Sequence, residues 1–355
     1  MDTMRLRAER LRSHRLSAPA ASLTEAASHL LAVQSQEFWG GRWALAVRTR
    51  GIERIAEVDA LFDRGELVRS WTMRGTLHTI PARDLAWVLG VTGDRQFRSA
   101  ASRHRRLGID GDMLRRVERA VRGALRGDGR LTRAELFDLL GDLGIDPRDQ
   151  RGVHLLQSLC LRGVIVQAGV VPREVGPARE QYFVLVEEWI EDAAPPADPL
   201  AEFFVRYIDG HGPAGAADFA WWTGLPLGTA RVAAEAAGDR VREIDDGLFV
   251  GSSRPRPSTA AAEVVALPPF DEFYISYADR TVIGPPEILA TVGPGANGMV
   301  RPLLVARGEI VATWAHSLAV GRHIDEPVRD LLLHGRATDD ELSAALERYR
   351  RFVAG

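Results

Sequence analysis

The sequence predicts an α+β protein built from tandem winged-helix units, in each of which helices are followed by a β-hairpin. Two observations predict this fold. A pattern of helix, turn, helix and two short strands recurs along the chain, and two Pro-rich stretches, residues 191–199 and 251–263, separate the repeats as linkers. A chain of 355 residues, 46% of them hydrophobic, can fill several small cores. We predict three winged-helix units and a C-terminal β-rich part with a closing helix, over residues 1–110, 111–195, 196–255 and 256–355.

The first unit is the least regular of the three. Helices are predicted near residues 24–34 and 52–64, and the segment SWTMRGTLHTI (70–80) follows as a strand. Period-two alternation gives this strand an apolar face with Trp71, Met73 and Leu77, and a polar face. The polar side chains are Ser70, Thr72, Arg74, Thr76 and His78. We expect an exposed face of a wing. The functional alternative is that Arg74 holds a phosphate and that His78 holds a phosphate or orients a water.

The second and third units are easier to recognise. In the second, Thr132 and Glu135 form a predicted capping box, and a later helix ends at Gly163 before strands at 164–169 and 181–186. In the third, helices lead to the strands VREID and GLFVG, which Asp245-Asp246-Gly247 joins by a tight turn. Strands and the amphipathic helix TDDELSAALERYRRFV are predicted to close the chain.

The charge is unevenly distributed along the chain. All 45 basic side chains are arginines, and the formal net charge is −3. Residues 1–106 contain 18 arginines and 11 acidic residues, a net charge of +7, so the rest of the chain carries −10. The run RQFRSAASRHRRLG (95–108) lies at the end of this basic third. It is either a solvated helix face or a surface that contacts phosphates.

Several classes of catalytic site have no sequence signature here. The chain contains no HExxH, paired CxxC, GxSxG or Gly-rich dinucleotide motif, and its histidines do not cluster at metal-ligand spacing. We therefore expect no metal and no cofactor. Cys160 lies among leucines and is predicted to be a packed thiol. No signal peptide and no apolar run of about 18 residues is present, so we expect a soluble, cytoplasmic protein without membrane contact.

Two neutral amides, Gln34 and Gln36, stand where a helical pattern stops. On a helix, residues two apart point in nearly opposite directions, whereas in extended backbone they share a side. The segment EFWGG follows at once and is predicted to break the helix. Both amides therefore address one site only if the chain has left the helix by Ser35. The alternative is that one amide caps the helix end and the other is solvated.

A group of carboxylates lies in the segment PPFDEFYISYADR (268–280). It contains Asp271, Glu272 and Asp279 among aromatic residues. We expect structural ion pairs with nearby arginines. The alternative is that Asp271 contributes to a functional site.

Five segments together resemble the bacterial AlkZ-like winged-helix DNA glycosylases. They are AVQSQ, SWTMRGTLH, DFAWWTGLP, LPPFDEFYISYADR and GEIVATW, and their order matches over nearly the whole chain. In that family tandem winged helices form a C-shaped DNA-binding body, and a Gln-x-Gln motif carries the chemistry. Gln34 and Gln36 fall on that motif. The middle position, often aliphatic in the family, is Ser35 here, and Gln36 distinguishes this chain from the branch with an acid in the second position.

The resemblance implies a monofunctional DNA glycosylase that hydrolyses the N-glycosidic bond of N7-alkylated purines in double-stranded DNA. An N7-alkylated base is already cationic and leaves readily, so two amides that position a water at C1′ and face the developing cation suffice. The family is also associated with bulky adducts, interstrand crosslinks and self-resistance to DNA-alkylating natural products. The candidate DNA-binding residues are Arg74, His78, Arg95, Arg98, Arg103, Arg105 and Arg106.

A second hypothesis is a non-catalytic winged-helix DNA binder, either a transcriptional regulator or a lesion-sequestering protein. It explains the helix-turn-helix pattern and the basic third, but not a Gln-x-Gln motif at a helix end. A regulator usually dimerises to match two half-sites, whereas we expect this chain to be a monomer.

Overall fold

In a computed structural model the chain divides into two compact units. The first unit comprises Met1–Val58, Val175–Pro177 and Leu200–Gly355, and the second comprises Asp59–Glu174 and Ala178–Pro199. The structure describes residues 1–191, 193, 195–252, 263–296, 298–316 and 327–355. Most of the second predicted linker and part of the first therefore lie outside the described residues. Helices and strands are mixed, which confirms the α+β class.

The helices of the described residues are α1 (Thr3–Ser13), α2 (Leu23–Leu30), α3 (Phe38–Val47), α4 (Ile55–Asp63), α5 (Leu85–Ser99), α6 (Ala101–Arg106), α7 (Gly111–Leu125), α8 (Arg133–Asp142), α9 (Arg151–Leu161), α10 (Val186–Trp189), α11 (Pro199–His211), α12 (Ala216–Thr223), α13 (Leu227–Ala237), α14 (Glu272–Ile275), α15 (Pro286–Val292) and α16 (Asp339–Ala354). The strands are β1 (Val33–Gln34), β2 (Leu67–Met73), β3 (Thr76–Pro81), β4 (Ile165–Val170), β5 (Gln181–Leu185), β6 (Val241–Asp245), β7 (Leu248–Gly251), β8 (Val264–Leu267), β9 (Leu303–Ala306), β10 (Glu309–Ala315) and β11 (Val328–Leu331).

The second unit contains a sheet made of two hairpins. The strands lie in the order β3-β2-β4-β5 and are antiparallel, and the pairing of Arg69 with Gln167 joins the hairpins. Leucines and valines of α7, α8 and α9 pack against β4 and β5 and form the core, in which Cys160 is fully buried as predicted. The predicted capping box of Thr132 and Glu135 begins α8. The order of elements from α8 to β5, two helices followed by two strands, is the predicted one.

The first unit contains a hairpin and a second sheet. Strands β6 and β7 pair across the predicted turn at Asp245, and four antiparallel strands lie in the order β11-β10-β9-β8. The closing helix α16 packs on β8. Its Tyr349 and Phe352 rings lie 5.3 and 5.1 Å from the ring of Trp43 in α3. These contacts hold α3, which begins two residues after Gln36, against the C-terminal part of the chain.

Two local predictions were wrong. EFWGG does not interrupt helical structure but begins α3, in which Gly41 allows a close contact with Ser35 that a side chain would prevent. The segment 70–80 is not one strand with one polar face. Arg74 and Gly75 both have positive φ, 53° and 72°, and reverse the chain between β2 and β3. Met73 therefore pairs with Thr76, and the strands are buried, not exposed as a wing face.

Candidate functional site

The Gln-x-Gln segment lies in extended backbone after a sharp turn. Helix α2 ends at Leu30. Leu31 adopts φ 63° and ψ −53°, close to a γ-turn, a backbone conformation that residues other than glycine rarely adopt. The Ala32 N–H donates to the Leu30 carbonyl at 2.7 Å within this turn. Strand β1 follows and includes Gln34. The chain has therefore left the helix before Ser35, which is the condition for both amides to address one site.

Neither amide stands at the C-cap of α2. That position belongs to Leu31, whose N–H donates to the Ala27 carbonyl at 2.9 Å. Gln34 and Gln36 follow this position by three and five residues, in backbone that is no longer helical. Gln34 is buried with 7% of its surface exposed, whereas Gln36 is exposed. The motif thus combines one buried amide with one exposed amide.

Ser35 anchors the middle of the motif. It is fully buried, and its hydroxyl donates to the Val33 carbonyl at 2.9 Å. Helix α3 approaches it so closely that a Cβ on Gly41 would lie 2.0 Å from Ser35 Oγ and 2.7 Å from Ser35 Cβ. Only glycine fits at position 41 without a shift of the motif.

A buried carboxylate holds the backbone of Gln34. Glu272 has 1% of its surface exposed, and its Oε1 accepts the Gln34 N–H at 2.7 Å. Its Oε2 accepts from Trp222 Nε1 at 2.9 Å and from the Ser276 hydroxyl. His211 Nε2 lies 3.8 Å from the same oxygen. Sequence reasoning noted Glu272 but did not connect it with Gln34, because no local pattern relates residues 238 positions apart.

Asp271 forms the structural ion pair that the sequence predicted. Arg48 Nη1 and Nη2 donate to its two oxygens at 2.8 and 2.7 Å, and both side chains are fully buried. Its Oδ1 also accepts the Phe273 N–H at 2.9 Å and caps α14. Asp271 therefore adjoins Glu272 in sequence, but its carboxylate is engaged by Arg48.

The imidazoles of His14 and His29 in the first unit are held neutral. Burial, with His211 and Arg48 adding to it, keeps the pKa of His14 well below its usual range. Burial also lowers the pKa of His29 to about 4, and Arg15 adds to the shift. At neutral pH these two residues supply no cation near the motif.

Arg74 and His78 belong to the hairpin of the second unit. Arg74 is half-buried in the turn between β2 and β3. His78 is fully buried, and its Nδ1 lies 3.0 Å from Thr72 Oγ1 and 3.2 Å from the Thr76 carbonyl. Because the His78 imidazole is fully buried, it offers no surface to a phosphate in this structure.

The arginine run occupies α5 and α6 of the second unit. Arg95, Arg98, Arg105 and Arg106 are exposed. Arg103 is half-buried, and its Nη2 donates to Gln150 Oε1 at 2.8 Å. Four of the five arginines are thus accessible to a polyanion.

No group of three or more His, Cys, Asp or Glu side chains that could hold a metal ion occurs in the part of the chain that the structure describes. Burial raises the pKa of Cys160 to about 12, which makes this thiol a poor ligand and nucleophile. Within the same residues no helix is long and apolar enough to span a bilayer.

One family model and one solved structure match this chain over most of its length. The model of the family described as DNA glycosylase AlkZ-like matches residues 27–352. The solved structure of the DNA glycosylase AlkZ from Streptomyces sahachiroi superposes with a TM-score of 0.78 and 21% sequence identity, and the alignment covers 100% of this chain and 97% of that one. At this identity the superposition shows a shared fold. A comparison with curated protein sequences gives no match.

Proposed function

This chain belongs to the AlkZ-like DNA glycosylase family, and we propose that it is a monofunctional enzyme that hydrolyses the N-glycosidic bond of N7-alkylated purines in double-stranded DNA. The observation that supports the proposal most is the backbone of the motif. Helix α2 ends four residues before Gln34, so Gln34 and Gln36 flank Ser35 in non-helical backbone that a buried carboxylate and a tight glycine contact hold in place.

The proposed reaction needs little acid or base catalysis. The bond from C1′ to the purine nitrogen breaks, and its electron pair neutralises the cationic N7-alkylated base, which departs. The sugar becomes an oxocarbenium-like cation, as in other glycoside hydrolyses. A water oxygen then bonds to C1′, its proton passes to solvent, and an abasic site remains.

Two amide carbonyls suit this reaction. Each accepts a hydrogen bond from the attacking water and turns the negative end of its dipole toward the cationic sugar, which is catalysis by positioning and electrostatics. Gln34 is buried and its backbone is held in place, so it fixes the direction of one hydrogen bond from the water. The exposed Gln36 accepts the second hydrogen bond. A neutral base in normal DNA leaves poorly and survives the same site.

Selection by the lability of the base also sets the range of substrates. An enzyme that does not enclose a flipped base in a tight pocket tolerates large groups on N7. We propose that bulky adducts and interstrand crosslinks fall within this range. The biological role is then DNA repair or self-resistance to an alkylating natural product.

We further propose how the enzyme engages DNA. Three winged-helix units in a C-shaped body bind the duplex as a monomer in the cytoplasm. The exposed arginines of α5 and α6 contact phosphates, with Arg74 adding a contact at the hairpin turn. His78 contributes only if the hairpin opens, because it is buried in this structure.

The experiment that tests this proposal measures release of base from a duplex with one N7-methylguanine. The enzyme is incubated in excess with this duplex and with the same duplex containing normal guanine, and abasic sites are cleaved with alkali. We expect alkali-dependent strand cleavage only at the N7-methylguanine. No release from this base or from a bulkier N7 adduct, with DNA binding intact, would instead support the regulator or lesion-sequestering hypothesis.

A further inference from the structure

We propose that Glu272 is a positioning residue that orients the Gln-x-Gln motif by accepting the backbone N–H of Gln34. This inference rests on the proposed function, because it assigns to Glu272 a part in the same reaction. Glu272 does not touch substrate. It acts through the peptide group that immediately precedes the Gln34 side chain, at a contact of 2.7 Å.

The carboxylate is itself fixed from the other side. Trp222 Nε1 donates to Oε2 at 2.9 Å, and the Ser276 hydroxyl donates to the same oxygen. Trp222 is fully buried among aromatic rings, with its ring 5.0 Å from that of Tyr207. Hydrogen bonds to a carboxylate are stronger and shorter than those between neutral groups. The packed aromatic side chains of α11 and α12 therefore fix the orientation of Glu272.

The two adjacent carboxylates serve different parts of the first unit. Asp271 binds Arg48, which directly follows α3. Glu272 instead connects the backbone of Gln34 to the Trp222 indole in α12 and to the hydroxyl of Ser276, which directly follows α14. Burying a carboxylate is costly unless polar contacts satisfy it, so these hydrogen bonds keep Glu272 in one orientation. The arrangement gives the peptide group of Gln34 a fixed position directly after the strained turn at Leu31.

Fixing this peptide matters because the proposed catalysis is positional. A displacement of about 1 Å can cost roughly 100-fold in rate even when the mutation lies away from the chemistry. Without an acceptor at Glu272, the Gln34 N–H is buried and must find another partner, and the Gln34 side chain moves with it.

The test uses two variants of Glu272 and one of its partner. Glu272→Met keeps the length of the side chain but removes both acceptors, so the single-turnover rate of base release is expected to fall about 30-fold or more. Glu272→Gln has one acceptor oxygen, for which the Gln34 N–H and the Trp222 indole N–H compete, while the Ser276 hydroxyl can rotate to accept from the new amide. A smaller fall is therefore expected. Adding Trp222→Phe removes the competing donor and should restore the rate of Glu272→Gln, but not that of Glu272→Met.

Asp271→Asn is the matched control, since it removes a buried charge one residue away and leaves in place the Glu272 carboxylate that accepts the Gln34 N–H. Melting temperature and DNA affinity are measured for every variant, and rates are expressed per folded molecule. We expect DNA affinity within about twofold of wild type, so that the loss lies in the rate and not in binding. The amide proton resonance of Gln34 should move upfield in Glu272→Met and stay in place in Asp271→Asn.

The outcomes separate this inference from the proposed function. An active wild type with Glu272→Met as fast as Asp271→Asn, or with an unchanged Gln34 amide resonance, overturns the positioning role alone. A wild type that releases no alkylated base overturns the proposed function and the role of Glu272 with it.

Discussion

At the scale of single residues, the close approach of Gly41 to Ser35 is the most sensitive point of the motif. A Cβ at position 41 would overlap Ser35 Cβ as well as its hydroxyl, so the motif must move. We expect Gly41→Ala to reduce the rate of base release roughly tenfold or more with little change in DNA affinity. Single-turnover kinetics and binding titrations with the N7-methylguanine duplex measure both quantities.

Gly40→Ala is the control for this change. A Cβ at position 40 would meet Pro268 Cβ at 3.4 Å, an ordinary contact, and alanine raises helix stability by up to about 1 kcal/mol. We expect Gly40→Ala to keep full activity and unchanged or raised stability. Equal activity in the two variants would show that the close approach of α3 does not position the motif.

Asp209 is a second residue with a testable effect, in this case on how the stability of the fold depends on pH. Burial raises its pKa to about 6, Glu202 adds to the shift and Arg206 opposes it. Because the folded state favours the protonated form, its contribution to stability is greatest below about pH 4 and is lost as pH rises through about 6. Asp209→Asn should therefore raise the melting temperature at about pH 8 by more than at about pH 5. A pH-independent difference would contradict the assignment.

At the scale of elements, a substitution in the turn between β2 and β3 separates the effect of the Arg74 charge on DNA binding from its effect on the stability of the fold. Arg74 and Gly75 have positive φ at both central positions of the turn, for which Asn-Gly is the preferred pair. Arg74→Asn is therefore expected to preserve or raise the melting temperature. If Arg74 contacts a phosphate, DNA affinity falls and the salt dependence decreases by up to about one unit of slope. An unchanged slope would remove Arg74 from the DNA interface.

The sequence predicted the elements whose signals are local. The capping box at Thr132, the turn at Asp245 and the closing helix all depend on residues within a few positions of each other. Helix α3 was missed because two adjacent glycines normally weaken a helix, whereas here Gly41 permits close packing against Ser35. The sheet of two hairpins was missed because the pairing of Arg69 with Gln167 joins distant segments.

At the scale of the whole molecule, the proposed catalytic residues can be recognised within one short segment, whereas the residues that hold them in place cannot. Gln34 and Gln36 were found from a helix end and a family resemblance, both readable in one short segment. The hydrogen bond from Gln34 to Glu272 forms only when the N-terminal and C-terminal segments of the first unit pack together, and no rule of sequence spacing predicts it. The burial of His78 likewise depends on the hairpin turn, which period-two alternation alone does not show.

The uneven charge of the chain predicts the salt dependence of binding. The chain has a net charge of −3, yet Arg95, Arg98, Arg105 and Arg106 are exposed together on α5 and α6. We expect replacement of all four by glutamine to weaken binding to any duplex and to reduce the slope of log K against log salt by about 0.9 for each phosphate that the protein no longer neutralises. Fluorescence anisotropy between about 50 and 200 mM salt measures the slope. An unaltered slope would place the DNA interface elsewhere.

The most direct measurement compares single-turnover release of N7-methylguanine by wild type, Gln34→Ala and Gln36→Ala, with DNA binding measured in parallel. Gln157→Ala, which removes an amide from the second unit, is the control. We predict that each motif variant loses roughly 100-fold or more in rate, the scale of removing one preorganised polar group from an active site, and binds the duplex as wild type does. Wild-type rates in both motif variants would contradict the assignment of Gln34 and Gln36 as the catalytic pair.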